Sequence, residues 1–114
     1  MKQINSREVQ EVLEGFTGKE VFLHLETTNG AYAAQDKEKR AVGAYIRNAK
    51  ITILNAMIKG NGPFRIGLKT NDGWVYAEGL TDWEVDVKDR LLIAGHDAEG
   101  KLAVALQISI TPFK

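Results

Sequence analysis

The chain has 114 residues and a mass of 12.6 kDa, with 15 basic and 15 acidic side chains and no cysteine. One hydrophobic core fits that length, and 44% hydrophobic with 26% charged residues is the make-up of an ordinary globular domain. The missing cysteines exclude a disulfide framework, thiolate-ligated zinc, iron–sulfur clusters and a thiol nucleophile. The balanced charge gives no general electrostatic grip on nucleic acid.

The opening stretch MKQINSREVQEVLEG has no long apolar run, so it does not read as a signal peptide. No segment nears the ~18 consecutive apolar residues of a membrane span, and neither end carries a lipidation motif. The expectation is a single cytoplasmic domain over residues 1–114, binding neither membrane nor nucleic acid.

The first element is a helix from about Ser6 to Glu14. Asn5 stands at the N-cap with Glu8 three residues on, as in a capping box, and Ile4 and Val9 can form a hydrophobic staple. Val9, Val12, Leu13 and Phe16 supply one apolar face. Gly15 is the expected C′ residue, free to take a positive φ.

From about residue 20 the period changes to two. EVFLHLETT alternates, Asn29–Gly30 signals a two-residue hairpin turn, and AYAAQ returns before the charged loop DKEKR. AVGAYIRNA and KITILNAMIKG read as extended, either with a turn at Asn48–Ala49–Lys50 or as one strand through a bulge. FRIGLKT, the turn NDG and WVYAEG make a further hairpin. DWEVDV places Trp83, Val85 and Val87 on one side; KDR turns, LLIAGH returns, DAEG turns again, and LAVALQISI ends before Pro112. The runs LLIAG and LAVAL predict strands buried on both faces, within the domain or at a dimer contact. The fold class is mainly β: about eight or nine strands over residues 20–111 in an antiparallel distorted sandwich or partly closed barrel, with one N-terminal α-helix.

The stretch KGNGPFRIG resembles a phosphate cradle at first sight. Such a cradle aims several backbone N–H groups and a helix N-terminus at the anion. Here an alternating strand follows, and Pro63 removes an N–H. The reading is a hairpin tip. Its cations still matter: Lys59 and Arg65 flank the tip, and Arg47 lies on a neighbouring run, so the ladder can gather an anion site. Trp74 and Tyr76 can add a stacking surface for a flat or sugar-like ligand; Phe64 and Trp83 extend the aromatic group or fill the core.

His24 and Glu26 share a strand face, and Glu78 or Asp82 can join a polar cluster with them. His96 stands far off in sequence, and a metal needs a third ligand. Ser6 and Ser109 lie at no strand-to-helix elbow, so a serine triad is disfavoured. No catalytic residue, metal or cofactor is assigned.

The stretches VFLHLETTNGAY, AYIRNAK, IKGNGPFRIGLKT and GWVYAEGLT resemble the YojF family of Bacillus-type bacteria over nearly the whole chain. The resemblance implies a mainly-β domain with an N-terminal helix and brings no known activity or site residue. It also implies an association, by gene neighbourhood, with a zinc deacetylase of the bacillithiol pathway. Three readings stand: a non-catalytic binding or accessory protein, expected as a homodimer with that deacetylase as a partner; a small-molecule binder using Arg47, Lys59, Arg65, Trp74 and Tyr76; and an enzyme built on His24 and Glu26.

Overall fold

The computed structural model describes residues 1–28 and 42–114. The Asn29–Gly30 hairpin, the AYAAQ strand and the DKEKR loop lie outside these residues. The elements are β1 (Lys2–Gln3), α1 (Ser6–Glu14), β2 (Glu20–Thr28), β3 (Gly43–Lys59), β4 (Phe64–Thr70), β5 (Gly73–Leu80), β6 (Asp82–Val85), β7 (Leu91–His96) and β8 (Leu102–Ser109).

The helix starts where its capping signal places it. The Asn5 side chain accepts the Glu8 N–H at 3.1 Å. Val9 and Leu13 are fully buried and Phe16 nearly so. Gly15 corrects the expectation made for it: its φ is −64°, within the helical range, and the positive φ falls at Gly18 instead. The chain continues through a further turn before reversing, since the Phe16 and Thr17 N–H groups bond back to Leu13 and Glu14.

All strand pairs are antiparallel, in the order β1-β6-β7-β8-β2-β3-β4-β5. β5 is last in that order and β6 second, yet only Thr81 separates them in sequence. A flat sheet cannot satisfy both facts, so the sheet curls until its ends approach, giving a half-barrel. They come very close at Gly95: a Cβ there would overlap the Gly79 carbonyl oxygen and the Val104 side chain. Only glycine lets β5 pass so near β7.

β3 is one strand through two irregularities, which decides between the two readings of its sequence. Its first half pairs with β2 and its second with β4. Asn48 is left over between the Leu23↔Ala49 and His24↔Arg47 pairs and takes φ 59°, so it is the bulge residue. Leu54 is left over in the β4 ladder and points outward, 49% exposed. Where β3 has no strand neighbour, the helix region covers it. The Gln10 amide donates to the Ala56 carbonyl and accepts from the Ile58 N–H, both at 2.9 Å.

The core lies inside the curl and under α1. It gathers Val9 and Leu13 with Val21, Leu23, Ile53, Ile66, Leu68, Leu80, Trp83, Leu91, Ile93, Leu106 and Ile108. β7 and β8 are buried on both faces at their centres, where Ala94 pairs with Ala105. The alternation of DWEVDV does not extend as far as expected: Trp83 is buried, but β6 ends at Val85 and Val87 is fully exposed in the following turn. No helix among the described residues is long and apolar enough to cross a membrane.

Candidate functional site

Period-two alternation sends Ala56, Ile58, Ile66, Leu68 and Ala77 inward. Their neighbours along the strands therefore face out and form three rows across β3, β4 and β5. Asn55, Lys69 and Trp74 are the first row; Met57, Gly67 and Tyr76 the second; Lys59 and Arg65 the third. Rows on one face of a strand repeat about every 6.6–6.8 Å.

A groove of ≈ 320 Å³ runs over this surface, lined by Asn55, Met57, Lys59, Arg65, Gly67, Trp74 and Tyr76. Gly67 forms the low point. Tyr76 pairs with it directly, and a Cβ at 67 would stand 3.0 Å from the Tyr76 ring. Trp74 and Tyr76 stack in parallel, 5.8 Å between centroids and 5° between planes, and each is 57% exposed. The Lys69 ammonium lies 5.8 Å from the Trp74 ring centre. At the opposite end the Arg65 guanidinium approaches the Glu78 carboxylate at 3.6 Å, a loose, solvated pair.

Four of the five residues singled out for ligand binding thus stand around one groove: Lys59, Arg65, Trp74 and Tyr76. Arg47 does not join them. The bulge turns it toward the C-terminal segment, where its Nε and Nη2 donate to the main-chain oxygen of Lys114 at 3.0 and 2.7 Å. Its guanidinium also covers the Phe113 ring at 5.1 Å. Trp83 lies in the core, and Phe64 is half-buried at the core edge.

His24 and Glu26 do meet. His24 Nε2 and Glu26 Oε1 are 3.0 Å apart, and the His24 side chain is 8% exposed. The third member is Arg47, whose Nη1 lies 3.1 Å from His24 Nδ1. Guanidinium only donates, so Nδ1 accepts and Nε2 carries the hydrogen that goes to Glu26. Both ring nitrogens are then occupied, leaving neither lone pair for a metal. Glu78 is with Arg65 and not with His24. No group of three or more metal-ligating side chains occurs among the described residues.

His96 and Asp82 are far apart in sequence, and the fold joins them. Asp82 Oδ1 lies 3.1 Å from His96 Nδ1 and accepts the Thr81 hydroxyl at 2.6 Å. The Thr81 hydroxyl, then the hydrogen bond and charge of His96, hold the Asp82 carboxyl below its ordinary value against the opposing effect of burial. The β5–β6 link and the β7 end bring the two together, a non-local contact with no local sequence signal.

The profile of "Protein of unknown function (DUF1806)" matches residues 3–113. The "Uncharacterized protein YojF" of Bacillus subtilis (strain 168) is 57% identical over 114 residues, covering 99% of this chain and 98% of that protein. The crystal structure of Bacillus subtilis YojF superposes with a TM-score of 0.86 at 53% identity, over 99% of this chain and 96% of that one. A matching profile over nearly every residue and a shared mainly-β half-barrel lead to one conclusion: the chain belongs to the DUF1806 family, whose function is unknown.

Proposed function

We propose that the protein is a non-catalytic binding protein whose outer groove takes a small anionic ligand with a flat or sugar-like body. The observation that carries this reading is the convergence of Lys59, Arg65, Trp74 and Tyr76 on one groove. Lys59 and Arg65, paired across the β3–β4 ladder, hold the anion. Tyr76, one row away, and Trp74, two rows away, offer exposed ring faces to the ligand body. Asn55 adds an amide that both donates and accepts.

A thermal-shift screen of phosphorylated sugars and sugar-thiols tests the assignment. A ligand of this class raises the melting temperature. Arg65→Ala weakens its binding by about tenfold or more, as expected for a lost charge-assisted hydrogen bond. Arg65 is about half exposed, so the fold survives the change. A screen with no shift, or an Arg65→Ala protein that binds as tightly as the parent, overturns the reading.

The accessory role places the groove beside an enzyme acting on such a ligand, and the sugar-thiol precursor deacetylase is the partner proposed. Co-elution of the two proteins at micromolar concentration is the expected result. Separate elution removes the partner, and light scattering of the protein alone reports whether it is the proposed homodimer.

A further inference from the structure

A second concavity lies where the curled sheet fails to close. β5 pairs only with β4 among the described residues, and its other edge lies against β7 and β8, with the end of β2 nearby. The seam between them has a volume of ≈ 520 Å³. Half-closed β-barrels commonly take ligands at such a mouth, and the volume lies within the ordinary range for small-molecule sites. Leu25, Ala77 and Val104 give it an apolar wall, while Glu78, His96 and Asp97, with the Tyr76 phenol at the border it shares with the outer groove, bring its titratable groups. Among the described residues, no lysine or arginine lines it.

The hydrogen bonds at His96 set which ring nitrogen carries the hydrogen. The Thr81 hydroxyl spends its one hydrogen on Asp82 at 2.6 Å. His96 Nδ1, 3.1 Å from Asp82 Oδ1 and 3.2 Å from Thr81 Oγ1, therefore faces two acceptors and must carry the hydrogen. In the neutral ring, Nε2, on the far side, is then the nitrogen with the lone pair. Glu78 is 71% exposed and held only by the loose Arg65 contact. Asp97 Oδ1 is committed to the Glu99 and Lys101 N–H groups, and Lys101 also acts on it by charge, so Asp97 contributes little more than negative potential. Acceptors above an apolar wall call for a donor-bearing cation with an apolar body. A divalent metal does not fit, since these side chains form no ligating group of three.

We propose that this seam binds an organic ammonium ion, an alkyl- or arylamine in its charged form. His96 Nε2 and the Glu78 carboxylate accept from the ammonium, and Leu25, Ala77 and Val104 contact its body. Asp82 and Thr81 are positioning residues that hold the His96 tautomer.

The test titrates the whole protein with 2-phenylethylammonium and, separately, with 3-phenylpropionate, which has a similar body and the opposite charge. Amide resonances are followed by NMR. The amine is expected to give saturable shifts at Ala77, Gly79, Ala103 and Val104, and the carboxylate none there. Glu78→Gln, on an exposed side chain, weakens the amine about three- to fivefold, the measure of an exposed ion pair. Imidazole nitrogen shifts show the hydrogen on Nδ1 of His96 in the parent, and Asp82→Asn lowers that preference together with amine affinity. Equal binding of both probes, shifts confined to the outer groove, no saturation up to about 10 mM, or an unaffected Glu78→Gln protein each overturn the assignment. Tyr76 borders both concavities and Glu78 pairs with Arg65, so the shifts at Ala103 and Val104, which line the seam and not the outer groove, are what separate the two sites.

Discussion

Asn48 shows how much one residue decides. At φ 59° it occupies the left-handed region that asparagine tolerates better than most side chains. Its amide then serves the backbone of the C-terminal segment in both directions: Nδ2 donates to the Phe113 carbonyl and Oδ1 accepts the Phe113 N–H, each at 2.7 Å. Phe113, only 4% exposed, is thereby held under Arg47 and Arg90. Asn48→Gly keeps the backbone angle and deletes both bonds. Its stability in urea is expected to fall by about 1–3 kcal/mol, with faster hydrogen exchange at the Phe113 amide. Asn48→Ala adds a Cβ penalty of about 1 kcal/mol and falls further. Equal stability of parent and glycine variant would rule out the clamp. The shared face of His24 and Glu26 was legible from period two alone. Arg47's place beside them was not, because it depends on the one-residue slip at Asn48.

Among elements, the two turns on either side of β7 are built alike. DVKDR at 86–90 and DAEGK at 97–101 each begin with an aspartate whose Oδ1 accepts the N–H groups two and four residues on, at 2.9–3.0 Å. Each places a positive φ at its fourth position, Asp89 or Gly100. Asp86 also holds the Arg90 Nε at 2.6 Å. The turns themselves were legible from their Asp, Gly and charged residues; the shared hydrogen-bond scheme belongs to the folded turn, though an Asp followed four residues later by Arg or Lys is its signal.

These bonds carry a pH dependence. The Lys101 N–H, with smaller help from Glu99 and from the charges of Lys101 and His96, lowers the Asp97 carboxyl below 3.8 despite an opposing burial effect. Burial is the largest influence on Asp86 and raises it, yet the N–H groups of Arg90 and Lys88 and the Arg90 guanidinium together outweigh it, and the net shift is downward. Asp82 is lowered as well. A carboxyl lowered on folding adds stability that is complete above its unfolded value near 4 and is lost as pH falls through the lower folded value. Unfolding midpoints in urea are therefore expected to decline from about pH 4 downward. Replacing Asp86 and Asp97 by asparagine lowers stability at neutral pH and flattens that decline; an unchanged acid profile in the double variant would show that these turns do not carry it.

At the scale of the molecule, the decisive fact is the single residue between β5 and β6. It requires the two ends of the strand order to meet, and the meeting creates both the close passage at Gly95 and the open seam beside β8. The outer groove comes from the same design on its other surface, where three adjacent strands present side chains in register.

Composition, period and turn chemistry by themselves determined the helix over 6–14, the mainly-β class, the hairpin tip at Gly60–Pro63 and that Trp74 and Tyr76 share one face; that this face is the outer one was decided by the fold. These are local properties, set by side-chain alternation and by which residues tolerate a positive φ. Tertiary structure alone decided that β3 is one bulged strand, that Arg47 leaves the other cations for His24 and the C-terminal segment, and that Asp82 and His96 meet. Such contacts depend on strand order and register across distant segments, and pairing partners are chosen by the burial of the whole core, which no short window of sequence contains.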